Sequence, residues 1–258
     1  MITDFAVGSN CCGIRLKLRS IFPLLLVLLL LGVDAAEAQT HSVLKSFGSI
    51  SDGTGGRSRT PLVRGADGTL YGATSGEFGA APSGALFKIN ADGSGYSALK
   101  WFTNSLPEGA APDGLSPGTL ALAGNIIYGT TSGGGLFGSG TVFKINVDGT
   151  GYTVLKQLSE TLTGNGPSSL MLSGNTLFIT TTAGGAQVGT GGTIFKVNTD
   201  GTGFSIIKSF AGSTITTPSG PSGKLLLLGN TLFGTTSFGG SAYYGTIFKL
   251  NTDAADLA

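Results

Sequence analysis

The sequence predicts an all-β protein, a β-propeller of about four four-stranded blades. Three observations predict this fold: a motif that recurs about every fifty residues, apolar runs separated by glycine-containing turns, and no helical periodicity with caps after residue 38. The recurring motif is F-K-[IVL]-N, and its phenylalanines are Phe87, Phe143, Phe195 and Phe248. A β-solenoid is the alternative, although solenoid coils are usually shorter and lack repeated Gly-Asn hairpins.

Residues 1–38 are predicted to be a secretory signal peptide. Three cations precede an apolar run from Ile21 to Val33, and small residues ending in Ala38 follow it. The run is shorter than the roughly 20 apolar residues of a transmembrane helix, but an uncleaved anchor remains the alternative. Cys11 and Cys12 precede the run, so the mature domain, residues 39–258, is predicted to be free of disulfides and to be secreted or held in the cell envelope.

Each repeat of the mature domain is predicted to supply four short antiparallel strands. A proline-led apolar strand turns tightly into a second strand of the L-Y-G-T-T type, and the F-K strand and an Asp-Gly turn lead to the fourth strand. The predicted repeats are residues 61–102, 117–158, 167–210 and 221–253. This is the make-up of a propeller blade.

The two ends of the domain predict a closed ring. The fourth repeat stops after its third strand, at about Asp253, whereas residues 40–47 match the fourth strand of the other repeats, as in Phe204 to Phe210. An N-terminal strand that completes the last blade would remove the open sheet edges. The chain is therefore expected to be a monomer, and pairing with a second copy into a larger ring is the alternative.

These repeated pieces, L-Y-G-T-T, G-G and G-T-[VI]-F-K-[IVL]-N, resemble a bacterial tandem-repeat family of exported proteins, the GloVer repeats. The resemblance covers essentially all of residues 40–253. It implies a cell-surface or secreted protein and brings no known catalytic residue.

Composition excludes several classes of partner. The formal net charge is +1 and charged residues are 11% of the chain, so bulk electrostatics favour neither a nucleic acid nor, after signal cleavage, a membrane. No cofactor and no metal are predicted. His41 is the single histidine, and the Asn-x-Asp-Gly-x-Gly turns at 90–95, 146–151 and 198–203 lack the twelfth-position acid of a calcium-binding EF-hand loop.

Strand alternation places all the long, variable loops on one face, which we name the long-loop face. Loops of this kind on a rigid scaffold are where binding usually resides. Five aromatic residues of these loops are the candidate ligand-binding residues, because such rings stack on sugars or anchor protein partners: Phe78, Phe137, Phe238, Tyr243 and Tyr244. The alternative is that they plug the central channel or pack on neighbouring loops.

The predicted function is a non-catalytic binding module for an extracellular carbohydrate or protein. A glycan-cleaving enzyme is an alternative. Such an enzyme needs two carboxylates about 5 to 10 Å apart, one of them with a raised pKa, and the same face carries Asp52, Glu77, Glu108, Asp113 and Glu160. A structural repeat of the cell envelope with no discrete ligand is a further alternative.

Eight lysines recur on the third and fourth strands, where lysine protects a sheet edge from recruiting another chain.

Overall fold

A computed structural model describes residues 41–48, 56–58, 60–76, 83–103, 112–185, 191–212 and 216–253. Nearly all of them belong to one compact unit, Val43–Ala258, and the other unit, Met1–Ser42, is described only at its last two residues. Within the described residues, sixteen strands form four antiparallel sheets, which we number 1 to 4 in chain order.

Each sheet is built from one repeat. Sheet 1 contains β1 (Arg57–Ser58), β2 (Val63–Arg64), β3 (Leu70–Ser75), β4 (Gly84–Ile89) and β5 (Ser97–Trp101). Sheet 2 contains β6 (Leu115–Ala123), β7 (Ile126–Gly133), β8 (Thr141–Asn146) and β9 (Thr153–Gln157). Sheet 3 contains β10 (Asn165–Ser173), β11 (Thr176–Ala183), β12 (Thr193–Asn198) and β13 (Ser205–Ser209). Sheet 4 contains β14 (Ser219–Leu228), β15 (Thr231–Phe238) and β16 (Thr246–Asn251).

The all-β repeat architecture is confirmed, and the strand order follows the chain order as predicted. One difference lies in sheet 1, where the first strand is the short β2 and an additional strand, β1, which precedes the predicted repeat 61–102, also pairs with β3. Consecutive sheets pack through their first strands: β6 contacts sheet 1, β10 contacts sheet 2 and β14 contacts sheet 3.

Glycine and asparagine form the turns between the first and second strands. Gly124, Gly174 and Gly229 have φ angles of 55°, 54° and 57°. A positive φ at the first central position is what a type II′ hairpin turn requires, and only glycine reaches it without strain. The predicted Gly-Asn hairpins therefore follow from local turn chemistry.

The turns between the third and fourth strands close on an aspartate. The Asp148 carboxylate accepts hydrogen bonds from the N–H of Thr150 at 2.8 Å and from its hydroxyl at 2.7 Å, while the Asn146 amide donates to the same hydroxyl at 2.9 Å. The same pattern recurs at Asp92 and Asp200. These side chains hold their own turns, which accounts for the Asn-x-Asp-Gly-x-Gly segments.

Threonine pairs close the bases of three long loops. The Thr181 hydroxyl lies 2.9 Å from the Thr193 hydroxyl and accepts a hydrogen bond from the Thr193 N–H at 3.0 Å, and both residues are buried. Equivalent pairs join Thr131 to Thr141 and Thr236 to Thr246. The recurrent threonines thus fix the strand ends that present the long loops.

The cores lie between consecutive sheets. Leu86, Val142 and Ile194 occupy the same position of the third strand in sheets 1 to 3, and each is fully buried against the following sheet. Their equivalent in sheet 4, Ile247, is 84% exposed. The last sheet therefore has an apolar face that the described residues leave uncovered.

Two lysines of the fourth-strand position bridge neighbouring repeats. The Lys100 Nζ lies 4.0 Å from the ring centroid of Tyr152, and the Lys156 Nζ lies 3.7 Å from that of Phe204. Such cation–π contacts contribute about 0.5–2 kcal/mol each. These lysines hold consecutive sheets together, a contact in addition to the edge protection expected from the sequence.

Residues 43–48 pack on sheet 1 through contacts of the same kind, between a lysine or phenylalanine of the segment and aromatic rings of the sheet. Phe47 lies 5.1 Å from Phe87 and 6.2 Å from Tyr96 between ring centroids, and Lys45 lies over the Tyr96 ring. The corresponding contacts of Phe102 in the next repeat measure 5.5 and 6.1 Å. The segment thus occupies the position of a fourth strand preceding sheet 1, while its pairing with β16 stays a prediction.

Candidate functional site

The long-loop face carries the exposed aromatic residues that the sequence singles out. Tyr244 is 93% exposed and Phe137 is 63% exposed, whereas Phe238 and Tyr243 are partly covered by each other. Phe78 lies outside the described residues. Large rings this exposed contribute little to a core, so they are available to a ligand.

Three of the rings share one loop, the β15–β16 connection. Phe238 and Tyr243 form a ring pair with centroids 5.5 Å apart and an interplanar angle of 32°, and Tyr244 follows directly. Tyr243 has a φ of 65°, a left-handed conformation that costs a non-glycine residue about 1–2 kcal/mol. We name Phe238, Tyr243 and Tyr244 the aromatic cluster.

Phe137 lies on the equivalent loop of sheet 2, next to Leu136, which is 65% exposed. The Gln157 amide anchors this loop, because its oxygen accepts a hydrogen bond from the Leu136 N–H at 2.9 Å and its nitrogen donates to the Pro112 carbonyl at 3.1 Å. Sequence reasoning missed both Leu136 and Gln157. Phe137 therefore belongs to a separate apolar patch, two sheets away from the aromatic cluster.

A central cavity lies among the first strands of the four sheets. Its volume is about 360 Å³, and each sheet contributes residues to its wall, among them Val63, Thr119, Ser168 and Lys224. A second cavity of about 290 Å³ shares Leu120, Ser169, Leu170 and Lys224 with the first. The two cavities adjoin at these residues, and the larger one lies where the long loops enter the first strands.

Two polar groups stand at the junction of these cavities. The Ser169 hydroxyl is buried without a hydrogen-bond partner, whereas Lys224 is exposed to solvent and makes no ion pair with any described residue. None of the described residues lining either cavity is acidic. The sequence did contain a signal, since Lys224 is the one lysine after Ala38 that lies outside the repeating third- and fourth-strand positions.

Of the acidic candidates, two are described. Asp113 forms an ion pair with Lys100 at 2.8 Å, and its backbone carbonyl accepts a 2.6 Å hydrogen bond from the Tyr152 hydroxyl. Burial, together with the charge of Asp113, raises the pKa of Tyr152. Glu160 is exposed on the loop before β10, and the remaining candidates, Asp52, Glu77 and Glu108, lie outside the described residues.

The turn aspartates are engaged within their own turns. Hydrogen bonds from the Thr150 side chain and backbone lower the pKa of Asp148, and the equivalent bonds lower the pKa of Asp92 and Asp200. In the described part of the chain, three or more acidic, histidine or cysteine side chains do not gather at one point. His41 is exposed at the start of that part.

Within the same ranges, no helix has the length and apolar character needed to cross a membrane.

Comparison with known proteins gives a family and several solved structures. The family described as the Gloeobacter/Verrucomicrobia repeat matches residues 33–248. No curated protein matches the chain.

Similar solved structures include a nidogen/laminin complex at 17% identity, with 75% of this chain and 60% of that chain covered and a TM-score of 0.47. The computationally designed Ika4 protein matches at 14% identity, with coverages of 82% and 99% and a TM-score of 0.43. TolB from Acinetobacter baumannii matches at 11% identity, with coverages of 76% and 42% and a TM-score of 0.47.

Proposed function

We propose, from the premise that the chain belongs to the Gloeobacter/Verrucomicrobia repeat family, that it is an exported, non-catalytic propeller that binds carbohydrate through its long-loop face. One observation carries the proposal: Tyr244 is 93% exposed beside the Phe238–Tyr243 ring pair. Flat rings stack on the apolar faces of sugars, and the tyrosine hydroxyls supply hydrogen bonds at their edges. The left-handed backbone at Tyr243 supports the same reading, since strain of this kind is concentrated at functional sites.

A glycan array probed with the purified protein tests this function. Replacing Tyr244 by alanine is expected to weaken binding of the selected glycan by about three- to tenfold, because one ring contact is worth about 0.5–1.5 kcal/mol. The triple variant of the aromatic cluster is expected to abolish binding. Leu136→Ala is the matched control, because it removes a comparably exposed apolar side chain from the other patch.

Three results would contradict the proposal. Equal glycan binding by wild type and the triple variant would remove the aromatic cluster from the site. Absence of binding to any glycan, with capture of a protein partner that depends on the same rings, would favour the protein-binding alternative. Hydrolysis of a bound glycan that disappears in Glu160→Gln would favour the enzyme.

The ring is proposed to close within one chain, as four blades. Ile247 and Leu226 are exposed on the outer face of sheet 4, and Leu62 is 49% exposed on the opposite end of the sheet series. The equivalents of Leu62 in sheets 3 and 4, Leu170 and Leu225, are buried against the preceding sheet. The uncovered faces of sheets 4 and 1 thus present the same two kinds of surface that meet wherever two consecutive sheets pack together. This supports a fourth contact of the same kind, between sheet 4 and sheet 1.

Engineered cysteines test the closure. The β8–β9 register pairs Thr141 with Gln157, so the corresponding partners at the ring junction are Thr246 and Ser46. The Ser46→Cys/Thr246→Cys variant is expected to form a disulfide within one chain, and Ser46→Cys/Thr193→Cys is the control that should not. A disulfide between two chains would instead support the larger ring.

Export is proposed to remove residues 1–38. The mass of the protein recovered outside the cytoplasm is expected to correspond to a chain that starts at Gln39. A mass that includes the apolar run from Ile21 to Val33 would support the uncleaved anchor.

A further inference from the structure

The stretch of chain that carries the aromatic cluster is almost free of charge. Residues 209–248 contain one charged side chain, Lys224, whereas charged residues are 11% of the whole sequence. The connections before β6 and β10, by contrast, carry Asp113 and Glu160. Aromatic residues with few charges around them are the composition of the central part of a binding interface, because a charge would have to lose its water there.

Lys224 lies at a distance from the rings. It is exposed in the part of β14 that faces Gly234, and Gly234 precedes Phe238 by four residues on β15. At a rise of about 3.3 Å per residue, the backbones of Lys224 and Phe238 are about 13 Å apart along the strand. This exceeds the Debye length of about 8 Å at physiological ionic strength. Lys249 pairs with Phe233, one residue farther away, so within sheet 4 neither charge is placed to hold an anion at the rings.

The loop of the aromatic cluster is held in place by its own contacts. The Thr236 hydroxyl donates to the Phe238 carbonyl at 3.0 Å, and the Gly245 N–H donates to the Gly239 carbonyl at 2.9 Å. Gly220 lies against the Phe238 ring, since a Cβ added at Gly220 would lie 3.2 Å from the Phe238 Cδ2. A surface that is ordered beforehand loses little conformational freedom when a ligand binds.

Exposed hydroxyls accompany the rings. The Ser237 hydroxyl donates to the Ser222 hydroxyl at 3.0 Å, and the Thr235 hydroxyl donates to the Ser222 carbonyl at 2.8 Å. Ser237 and Thr235 are exposed, and Ser237 directly precedes Phe238. Hydroxyls donate hydrogen bonds to sugar hydroxyls and accept bonds from them. A carboxylate or sulfate, whose strong partners are arginine and lysine, would give up its water here without gaining a cation.

The rings form an outer surface of the molecule. Among the described residues that line the two central cavities, none belongs to the aromatic cluster, and Tyr244 is 93% exposed. Sites for single small molecules are concave and bury most of the ligand. An exposed ring surface instead contacts one face of each sugar and leaves the chain free to continue on both sides.

We propose that the aromatic cluster binds internal sugars of an uncharged glycan chain and discriminates against chains that carry carboxylates or sulfates. The inference rests on the function proposed above and narrows its ligand from carbohydrate in general to uncharged polysaccharide.

Calorimetry with three probes tests this ligand class: cellohexaose, the same hexamer oxidised to a carboxylate at C6 of every sugar, and glucose. All ring hydroxyls of cellohexaose are equatorial, so both faces of each sugar carry only C–H groups. The carboxylated hexamer is expected to bind at least about tenfold more weakly, because its charges lose water without gaining partners. Glucose is expected to bind at least about tenfold more weakly, because it covers fewer rings. Cellohexaose affinity should change less than about twofold between about 0.05 and about 0.5 M NaCl, since no ion pair is formed.

A lysine placed beside the rings gives a second readout. Ser241 is exposed on the loop of the aromatic cluster. Ser241→Lys is expected to raise the affinity for the carboxylated hexamer by about threefold or more and to leave cellohexaose affinity within about twofold of wild type. Ser97→Lys is the matched control, because it adds the same charge at an exposed position of β5, outside the long loops, and should change neither affinity by more than about twofold.

The possible failures are distinguishable. Equal binding of the two hexamers, undetectable binding of both, or glucose binding as tight as that of cellohexaose would overturn this inference. If the glycan array selects a charged glycan whose binding is lost in the triple variant of the aromatic cluster, the proposed function stands and this inference fails. Cellohexaose binding that is unchanged in the triple variant would overturn both.

Discussion

Ser116 has a left-handed backbone conformation that glycine occupies at the equivalent positions of sheets 3 and 4. Its φ is 53°, and the residues before the corresponding prolines, Gly166 and Gly220, have φ angles of 62° and 64°. Ser116→Gly is expected to raise the free energy of unfolding by up to about 1 kcal/mol, because relief of left-handed strain exceeds the entropic cost of glycine. The reciprocal Gly166→Ser should lower it by about 1–2 kcal/mol in urea titrations. Opposite signs would show that the position is not strained.

The turn aspartates make stability depend on pH. Hydrogen bonds in the folded state lower the pKa of Asp92, Asp148 and Asp200 below the ordinary 3.8. Each therefore contributes stability above its unfolded pKa, and the contribution is lost as the pH falls through the lowered folded value. The urea midpoint of wild type is expected to fall more steeply between about pH 5 and pH 2 than that of the triple aspartate-to-asparagine variant. If the urea midpoints of the two proteins changed in parallel with pH, the turn aspartates would not be the source of the pH dependence.

At the scale of the strand pair, the buried threonines determine how the long loops are held. Thr181 accepts a hydrogen bond from the Thr193 N–H and donates to the Thr163 carbonyl at 2.9 Å. Thr181→Val keeps the shape but leaves the buried Thr193 N–H unpaired and removes one of the two hydroxyl hydrogen bonds to the Thr163 carbonyl. A loss of about 1–3 kcal/mol is therefore expected from chemical denaturation. Exposed Thr153→Val on β9 is the matched control and should change stability by less than about 0.5 kcal/mol. Equal effects of the two changes would assign the threonines no special role.

Across the whole molecule, the uncovered face of sheet 4 gives the sharpest test of closure. Ile247→Glu is expected to destabilise the protein by more than about 2 kcal/mol if sheet 1 covers that face, because an unpaired charge would be buried. Ile194→Glu provides the reference, since Ile194 holds the same position and is fully buried. A change within about 0.5 kcal/mol at Ile247 would mean that the face stays open to solvent.

The sequence predicts well what short-range chemistry decides. The Gly-Asn turns, the Asp148 turn and the Phe143 strand are local, so their repetition was sufficient to place all four sheets. Contacts between repeats were not predictable in this way. The stacking of Lys156 on Phe204 and the meeting of four first strands around one cavity depend on how sheets are turned against one another, which no residue spacing encodes.

A cavity whose wall is drawn from all four repeats has a consequence for the order of assembly. Thr60 and Gly223 both line it, although more than half of the chain separates them. The ribosome makes the chain from its N-terminus, so the cavity stays incomplete until the last repeat has been synthesised and has folded. A ligand held there would join the earliest and latest segments to appear, and would therefore report on completed assembly.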